Sequence, residues 1–483
     1  MINLRMIYRI MGFLVLLETV MLLTCIGVSG FYAEDDLNSF IITAAITLAV
    51  GSTLFIGGRK AERQLGKRDG IIIVSISWVV VSVFGMLPFC ISGYIPNITN
   101  AFFETMSGFT STGSTILDDI EALPHGLLYW RSLTQWFGGL GIVFFTIAVL
   151  PIFGVGGVQL FAAESGNVST DKVHPRIGVT AKWIWSIYLG LTLIVIVLFI
   201  VGGMPVFDSI CHAFATTGTG GFSTKQASIA HYHSAYIEYI TAIFMTISGI
   251  NFMLMLLFVN GKFKKFFSNS ELKWYLTSVG IFTLIIAVGL YHSGGMGAEE
   301  AFRKSFFQVA SLHTSTGFTT NNYMAWQPVL WGMLILLMMM GACAGSTSGG
   351  IKCIRLVILT KIIRNEFRHI IHPNAVLPVR VNKQVIPQGI LNSTLAFIFV
   401  YLLVVITSCT IMMALGVGFL ESIGVVVSSV GNMGVGLGSI GPMYSWNSLP
   451  DPAKWLSAFL MLIGRLEFFT VLILFLPGFW KKG

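Results

Sequence analysis

The sequence predicts an all-α integral membrane protein. It comprises four pseudo-symmetric helix/re-entrant pore-loop/helix repeats around one pore, an additional N-terminal two-helix hairpin, and about ten transmembrane spans in all. Three observations lead there. Of 483 residues, 55% are hydrophobic and 10% charged, and a mean hydropathy of +0.81 leaves too little polar surface for a water-soluble globule of this length. Apolar stretches near the twenty-residue length of a membrane span recur at 6–29, 38–57, 71–94, 128–152, 183–203, 235–259, 273–291, 330–362, 389–415 and 454–477. Finally, four short Gly/Thr/Ser runs, at 109–115, 218–224, 314–320 and 431–436, read almost alike. Their aligned glycines, Gly113, Gly221, Gly317 and Gly434, lie 108, 96 and 117 residues apart, a period too long for a solenoid and long enough for helix, loop, helix.

In chain order, residues 1–68 form the N-terminal hairpin, 69–160 the first repeat, 161–262 the second, 263–383 the third and 384–483 the fourth. The first stretch runs through Arg9 and Glu18 with no small-residue cleavage site, so it reads as a span and not as a removed signal peptide. Glu18, outside the repeats, reads as a packing or interhelical hydrogen-bonding residue. An even number of spans puts both termini on one side. The segments at 1–9, 59–68, 172–182, 262–273, 352–383 and 481–482 carry 23 of the 29 basic residues, which makes that side cytoplasmic. Acids such as Glu34, Asp36, Asp118, Asp208, Glu299 and Asp451 collect on the other face, where they attract cations. The net charge of +8 therefore describes membrane topology and no nucleic-acid partner.

Each Gly/Thr/Ser run follows an apolar segment too short to span, at 98–108, 206–217, 298–313 and 418–429. Such segments suit re-entrant half-helices. Irregular backbone at membrane depth is tolerated only where protein buries it or water wets it, so the four loops converge on one aqueous path. The half-helix carboxyl ends, aimed at the membrane centre, favour a cation. The candidate filter is Thr110, Ser111, Thr112 and Gly113; Gly218, Thr219, Gly220 and Gly221; Thr314, Ser315, Thr316 and Gly317; and Gly431, Asn432, Met433 and Gly434. It contains no carboxylate, so carbonyls and hydroxyls would replace the water shell of the ion, and dehydrated potassium fits best. One such run alone would be ordinary loop punctuation.

Two features lie beneath the filter. The eighth stretch begins as a helix at Trp331 and meets ten small residues from Gly341 to Gly350. Ten helical residues cover about 15 Å, half the hydrocarbon thickness. The break therefore falls near mid-membrane, and Gly341, Gly345, Ser346, Thr347, Ser348, Gly349 and Gly350 read as a movable loop across the pore. Close helix packing of the GxxxG kind is the competing reading. In the last stretch Arg465 sits ten residues from Trp455, too deep to reach either interface, and a guanidinium there marks a functional site. It reads as a positive barrier paired with the loop; a salt bridge to another helix is the alternative. Glu467, two positions on, points to a different helix face.

Six dispersed cysteines without C-x-x-C spacing read as packing residues, and the nine histidines define no metal centre. An intramembrane enzyme is disfavoured: residues 346–349 match no nucleophile elbow, and Ile351 breaks the phosphate-loop spacing before Lys352. A coupled symporter with broken helices is nearer, though its repeats are often inverted.

Four span-loop-span repeats with one Gly-centred loop each, Gly-Ser-Thr-x-Gly-Gly-Ile-Lys from Gly345 to Lys352, and Gly464-Arg465-Leu466-Glu467 together resemble the Trk/Ktr/HKT superfamily of potassium transporters. The N-terminal hairpin makes the Trk-type membrane subunit the nearest member. The resemblance implies potassium uptake through the bacterial cytoplasmic (inner) membrane and a homodimer with one pore per protomer. It also implies an intramembrane gate at 341–350, a pore-narrowing arginine at Arg465, and K+ as the transported ion with no organic cofactor. A peripheral cytosolic RCK-type partner that binds nucleotides is implied as well. Gly113 matches potassium-selective members, whereas a serine there accompanies sodium transport in plant relatives. The second loop is richer in Gly and Thr than the resemblance leads one to expect. A potassium/sodium or proton-coupled symporter is the alternative within this class.

Overall fold

The computed structural model describes residues 2–59, 66–149, 177–293 and 295–481. The expected boundary between the first two repeats, near 160, and parts of the basic segments at 59–68, 172–182 and 481–482 lie outside these residues. The chain is helical almost throughout. α1 (Leu4–Tyr32) and α2 (Leu37–Gly57) form the N-terminal hairpin. They approach backbone to backbone at Gly12, where a Cβ would lie 2.4 Å from the Phe55 nitrogen. Glu18 is buried on α1, and neither of its carboxylate oxygens has a hydrogen-bond partner among the described residues, so of the packing and interhelical-bonding roles expected for it only packing is seen.

α3 (Lys67–Gly85) and the short α4 (Leu87–Ser92) continue one apolar run. After α5 (Ile98–Phe109), α6 (His125–Val149) is kinked at Gly141, whose φ of 73° leaves helical space. α7 (Ile177–Val201) and α8 (Val206–Thr217) follow. α9 (Ala235–Ser248) and α10 (Phe252–Val259) meet at 102°. The short α11 (Phe263–Ser268) leads into α12 (Ser270–His292) and α13 (Ala298–His313). α14 (Pro328–Met339) and α15 (Cys353–Ile371) are separated by a non-helical loop. A two-residue antiparallel hairpin follows, β1 (Arg380–Val381) with β2 (Gln384–Val385). Its turn residues Asn382 and Lys383 both have positive φ, the requirement of a tight primed turn. Then come α16 (Gln388–Ala414), α17 (Phe419–Gly431), α18 (Asp451–Leu466) and α19 (Phe468–Leu472).

Besides the kink in α6 and the loop between α14 and α15, two expected spans are sharply bent pairs of helices. The stretch at 235–259 breaks at Gly249–Asn251, and that at 454–477 breaks at Glu467, where the two halves meet at 117°. Each break has a physical cause. Asn251 caps α10 through the Met253 amide, and Glu467 takes φ 60°, ψ 142°, a conformation sparsely populated outside glycine. By length and apolarity, six helices among the described residues can each cross a membrane alone, and eight spans result if the two bent pairs count as one each. The chain is a membrane protein with several transmembrane helices.

Candidate ion-conduction site

All four short apolar segments are helices: α5, α8, α13 and α17. They end in the same way. The residue in the left-handed region after each helix is Ser111, Thr219, Ser315 or Asn432, with φ of 52°, 49°, 54° and 52°. The following amide returns to the carbonyl five residues back: Thr112 to Ser107 at 2.8 Å, Gly220 to Ala215 at 2.8 Å, Thr316 to Ser311 at 2.8 Å and Met433 to Ser428 at 3.0 Å. With the second bond, from the amide of each left-handed residue to the carbonyl three back, this is a Schellman cap, which turns the chain sharply out of a helix. Two residues beyond each left-handed position stands a glycine, Gly113, Gly221, Gly317 or Gly434, with φ of 87°, 80°, 84° and 79°. One backbone trace thus occurs four times.

The four loops also touch in cyclic order. A Cβ on Gly113 would lie 2.0 Å from the Gly220 carbonyl oxygen, one on Gly221 1.9 Å from that of Thr316, and one on Gly317 1.9 Å from that of Met433. A Cβ on Gly434 would lie 2.5 Å from the Thr112 oxygen, closing the ring. No side chain fits at these positions, both for space and because φ there disfavours L-residues. Thr110 and Thr112 share a hydroxyl contact of 2.7 Å, as do Thr314 and Thr316. Asn432 joins the fourth loop to the first by donating to Thr112 Oγ1 at 3.0 Å, and to α18 through the Met461 carbonyl at 2.9 Å. The sixteen filter candidates are thus brought together, with Gly218 and Gly431 contributing as helix ends.

Several buried polar residues brace this ring without having been singled out from the sequence. Gln135 on α6 donates through Nε2 to the Gly220 carbonyl at 2.7 Å and accepts the Phe222 amide on Oε1 at 3.0 Å. Arg131, fully enclosed, pairs with Glu104 at 2.8 Å and donates to the Ser223 carbonyl at 3.2 Å. Glu104 in turn accepts from Thr115 Oγ1 and the Ile116 amide. The sequence signal for Arg131 is a guanidinium six residues into an apolar helix.

Residues 340–352 form the expected break. Met340 and Ile351 pair as a parallel bridge, and the Gly341 amide donates to the Ile351 carbonyl at 2.9 Å, so the loop leaves and returns at one point. Gly349 lies directly under the fourth loop: a Cβ there would be 2.3 Å from the Gly431 oxygen, and its amide donates to Ser315 Oγ at 2.6 Å. Ser346 and Ser348 bond within the loop, to the Cys343 carbonyl and from the Ala342 amide. The Gly345 carbonyl accepts from the Phe252 amide and the Gly249 carbonyl from that of Cys343, so the bend between α9 and α10 exists to receive the loop. Lys352 donates to the Ser348 carbonyl.

Arg465 reaches this loop. Its guanidinium donates to the Thr347 carbonyl at 2.7 Å, to Gly139 at 2.7 Å and to Gly138. Glu467 does not pair with Arg465; it holds Arg355 on α15 at 2.5 Å, with the guanidinium stacked on the Phe397 ring at 3.7 Å.

The TrkH family model, described as cation transport protein, matches residues 37–482. The chain belongs to the TrkH family. The Trk system potassium uptake protein TrkH of Escherichia coli strain K12 is 39% identical over 99% of both chains. TrkG of the same strain, also a Trk system potassium uptake protein, is 34% identical over 99% of both. The crystal structure of the potassium transporter TrkH from Vibrio parahaemolyticus matches with a TM-score of 0.89 at 35% identity, covering 99% of this chain and 100% of that one. As a member of the TrkH family the chain is a transport protein and not an enzyme.

Proposed function

We propose that this protein carries potassium across the cytoplasmic membrane through the ring of four loops and that residues 341–350 with Arg465 gate the path. The observation that carries the reading is the cyclic contact of four identically capped loops, since a ring of main-chain and hydroxyl oxygens can replace the hydration shell of a cation. The potassium uptake named for the E. coli relatives and the potassium transporter solved from V. parahaemolyticus agree with it.

On this reading the chain has four pseudo-symmetric repeats after the N-terminal hairpin, with the boundaries given by the sequence. α6 and the α14–loop–α15 segment join the eight spans counted by length and apolarity to make ten. The termini face the cytosol, because the basic segments do. Potassium enters from the acidic face, sheds water in the ring and meets the loop below. Arg465 bonds to loop and wall together, so its charge stands where an ion must pass. The protein works as a homodimer with one path per protomer, under a cytosolic nucleotide-binding RCK-type ring; the basic segments at 262–273 and 364–383 offer that ring a docking face.

The test is flux of potassium, rubidium and sodium into proteoliposomes holding the purified chain, beside Arg465→Ala. Potassium and rubidium flux above sodium, increased in the variant, is the expected outcome. Equal permeation of all three ions in the wild type and a variant without added flux would overturn the assignment.

A further inference from the structure

Among the described residues, the loop at 340–352 is held from the cytosolic end by a carboxylate that the gate reading does not use. Glu271 stands in the first turn of α12 and is 6% exposed. One of its oxygens, Oε1, accepts the Ala344 amide at 2.7 Å and the Ile354 amide at 3.2 Å. These two amides lie on opposite limbs of the loop, one inside it and one in the first turn of α15. A single oxygen therefore staples the loop closed at its base.

The staple is tied to the surface. Asn269 caps α12 by accepting the amides of Glu271 and Leu272 at 2.9 and 3.1 Å. Between them, the Ser270 amide donates to Asn382 Oδ1 at 2.7 Å. Asn382 is the exposed turn residue of the β1–β2 hairpin, where Arg380 and Lys383 add positive charge. The hairpin itself is anchored to α15 by Lys361, which donates to the Arg380 carbonyl at 2.5 Å. A displacement of the hairpin is thereby delivered to the residue preceding Glu271.

We infer that Glu271 is the positioning residue that latches the intramembrane loop, and that the Asn382–Ser270 contact lets the hairpin at 380–385 release it. The inference rests on reading 341–350 as the gate. A latch predicts a specific pattern: its loss frees the loop while leaving the ring above unchanged, so flux rises and the order of ion preference stays the same. Loss of the two amide bonds should raise the open population roughly tenfold or more.

Cys343 and Cys353, both fully buried at the two limbs, report the loop directly. With Cys25, Cys90, Cys211 and Cys409 replaced by alanine, Glu271→Ala, Glu271→Gln, Asn382→Ala and Arg465→Ala are compared in proteoliposomes. The readouts are rubidium and sodium flux and the rate of labelling by a small water-soluble methanethiosulfonate. Expected are faster labelling and higher flux in Glu271→Ala, a smaller change of the same sign in Glu271→Gln and Asn382→Ala, and an unaltered rubidium-to-sodium ratio. Glu271→Gln keeps the acceptor oxygen and the volume, and it carries the test if the alanine variant does not fold. Wild-type labelling and flux in folded Glu271 variants, with Arg465→Ala still raising flux, would overturn the latch and leave the gate standing. No change in any variant, Arg465→Ala included, would overturn the gate and the latch with it.

Discussion

Replacing Gly113 by serine tests the ring at one contact whose geometry is known. The new Cβ would start 2.0 Å from the Gly220 carbonyl oxygen, and it needs at least 3.0 Å. The second loop must therefore yield by about 1 Å. That carbonyl is held by Gln135 Nε2 at 2.7 Å, so the displacement also breaks a hydrogen bond with a net worth of about 1 kcal/mol. The φ of 87° at Gly113 adds roughly 1–2 kcal/mol for an L-residue. Together about 2–3 kcal/mol is concentrated at the oxygens proposed to meet the ion, and at 1.4 kcal/mol per tenfold this is enough to erase a preference of about thirty- to a hundredfold. The assay is initial uptake of potassium, rubidium and sodium by proteoliposomes at matched protein density, with thermal unfolding followed in parallel. Loss of the potassium and rubidium preference in a folded variant is expected. A variant with wild-type stability and the wild-type order and spacing of the three fluxes would refute the reasoning, because the ring could then absorb 1 Å without the ion sensing it.

Arg465→Ala removes the bonds to Thr347, Gly138 and Gly139 together with the charge proposed to bar the path; flux should rise about tenfold or more, and a folded variant with unchanged or abolished flux counts against the barrier. Arg131→Ala leaves Glu104 buried and unpaired, a loss of about 3–5 kcal/mol, which a thermal-unfolding shift of several degrees in detergent would register. Arg355→Met deprives Glu467 of its partner at the strained bend, so the last helix pair should loosen and hydrogen exchange around 466–470 should accelerate; unaltered exchange would deny the pair that role. Ser346→Ala and Ser348→Ala remove only hydroxyls bonded within the loop, and transport should persist in both, measured by the same flux assay.

What could be read from the sequence was whatever repeats or violates a local rule. Four short apolar segments ending in Gly/Thr/Ser declared their helices almost to the residue, because length and turn chemistry act locally. Ten small residues in a row declared the break at 340–352, and the depth of Arg465 declared that it needed partners. The partners themselves were not legible. Arg355 and Glu467 stand 112 residues apart, and Gln135 meets Gly220 across 85; no periodicity links such pairs. The bend at Gly249–Asn251 was hidden for the same reason, since the apolar run continues through it and only the arrival of the loop gives the backbone polar groups a place to bond. Glu271 looked like an ordinary acid in the first turn of a helix, and nothing local says that its oxygen is shared by two distant amides.

The four loops share one backbone trace but come from a single chain, so the quadrants of the ring need not match: the first and third are both Ser-Thr-Gly, the second is Thr-Gly-Gly and the fourth Asn-Met-Gly. In a ring of identical subunits any substitution is made four times over, and the ion sits on an axis that mutation cannot tilt. Here one quadrant can be changed while three stay as they are, and the fourth loop already offers a methionine side chain, Met433, where the first and third offer a hydroxyl, at Thr112 and Thr316. On the proposed function the ion would sit in a field without true fourfold symmetry, and its resting position could be steered sideways by one residue at a time.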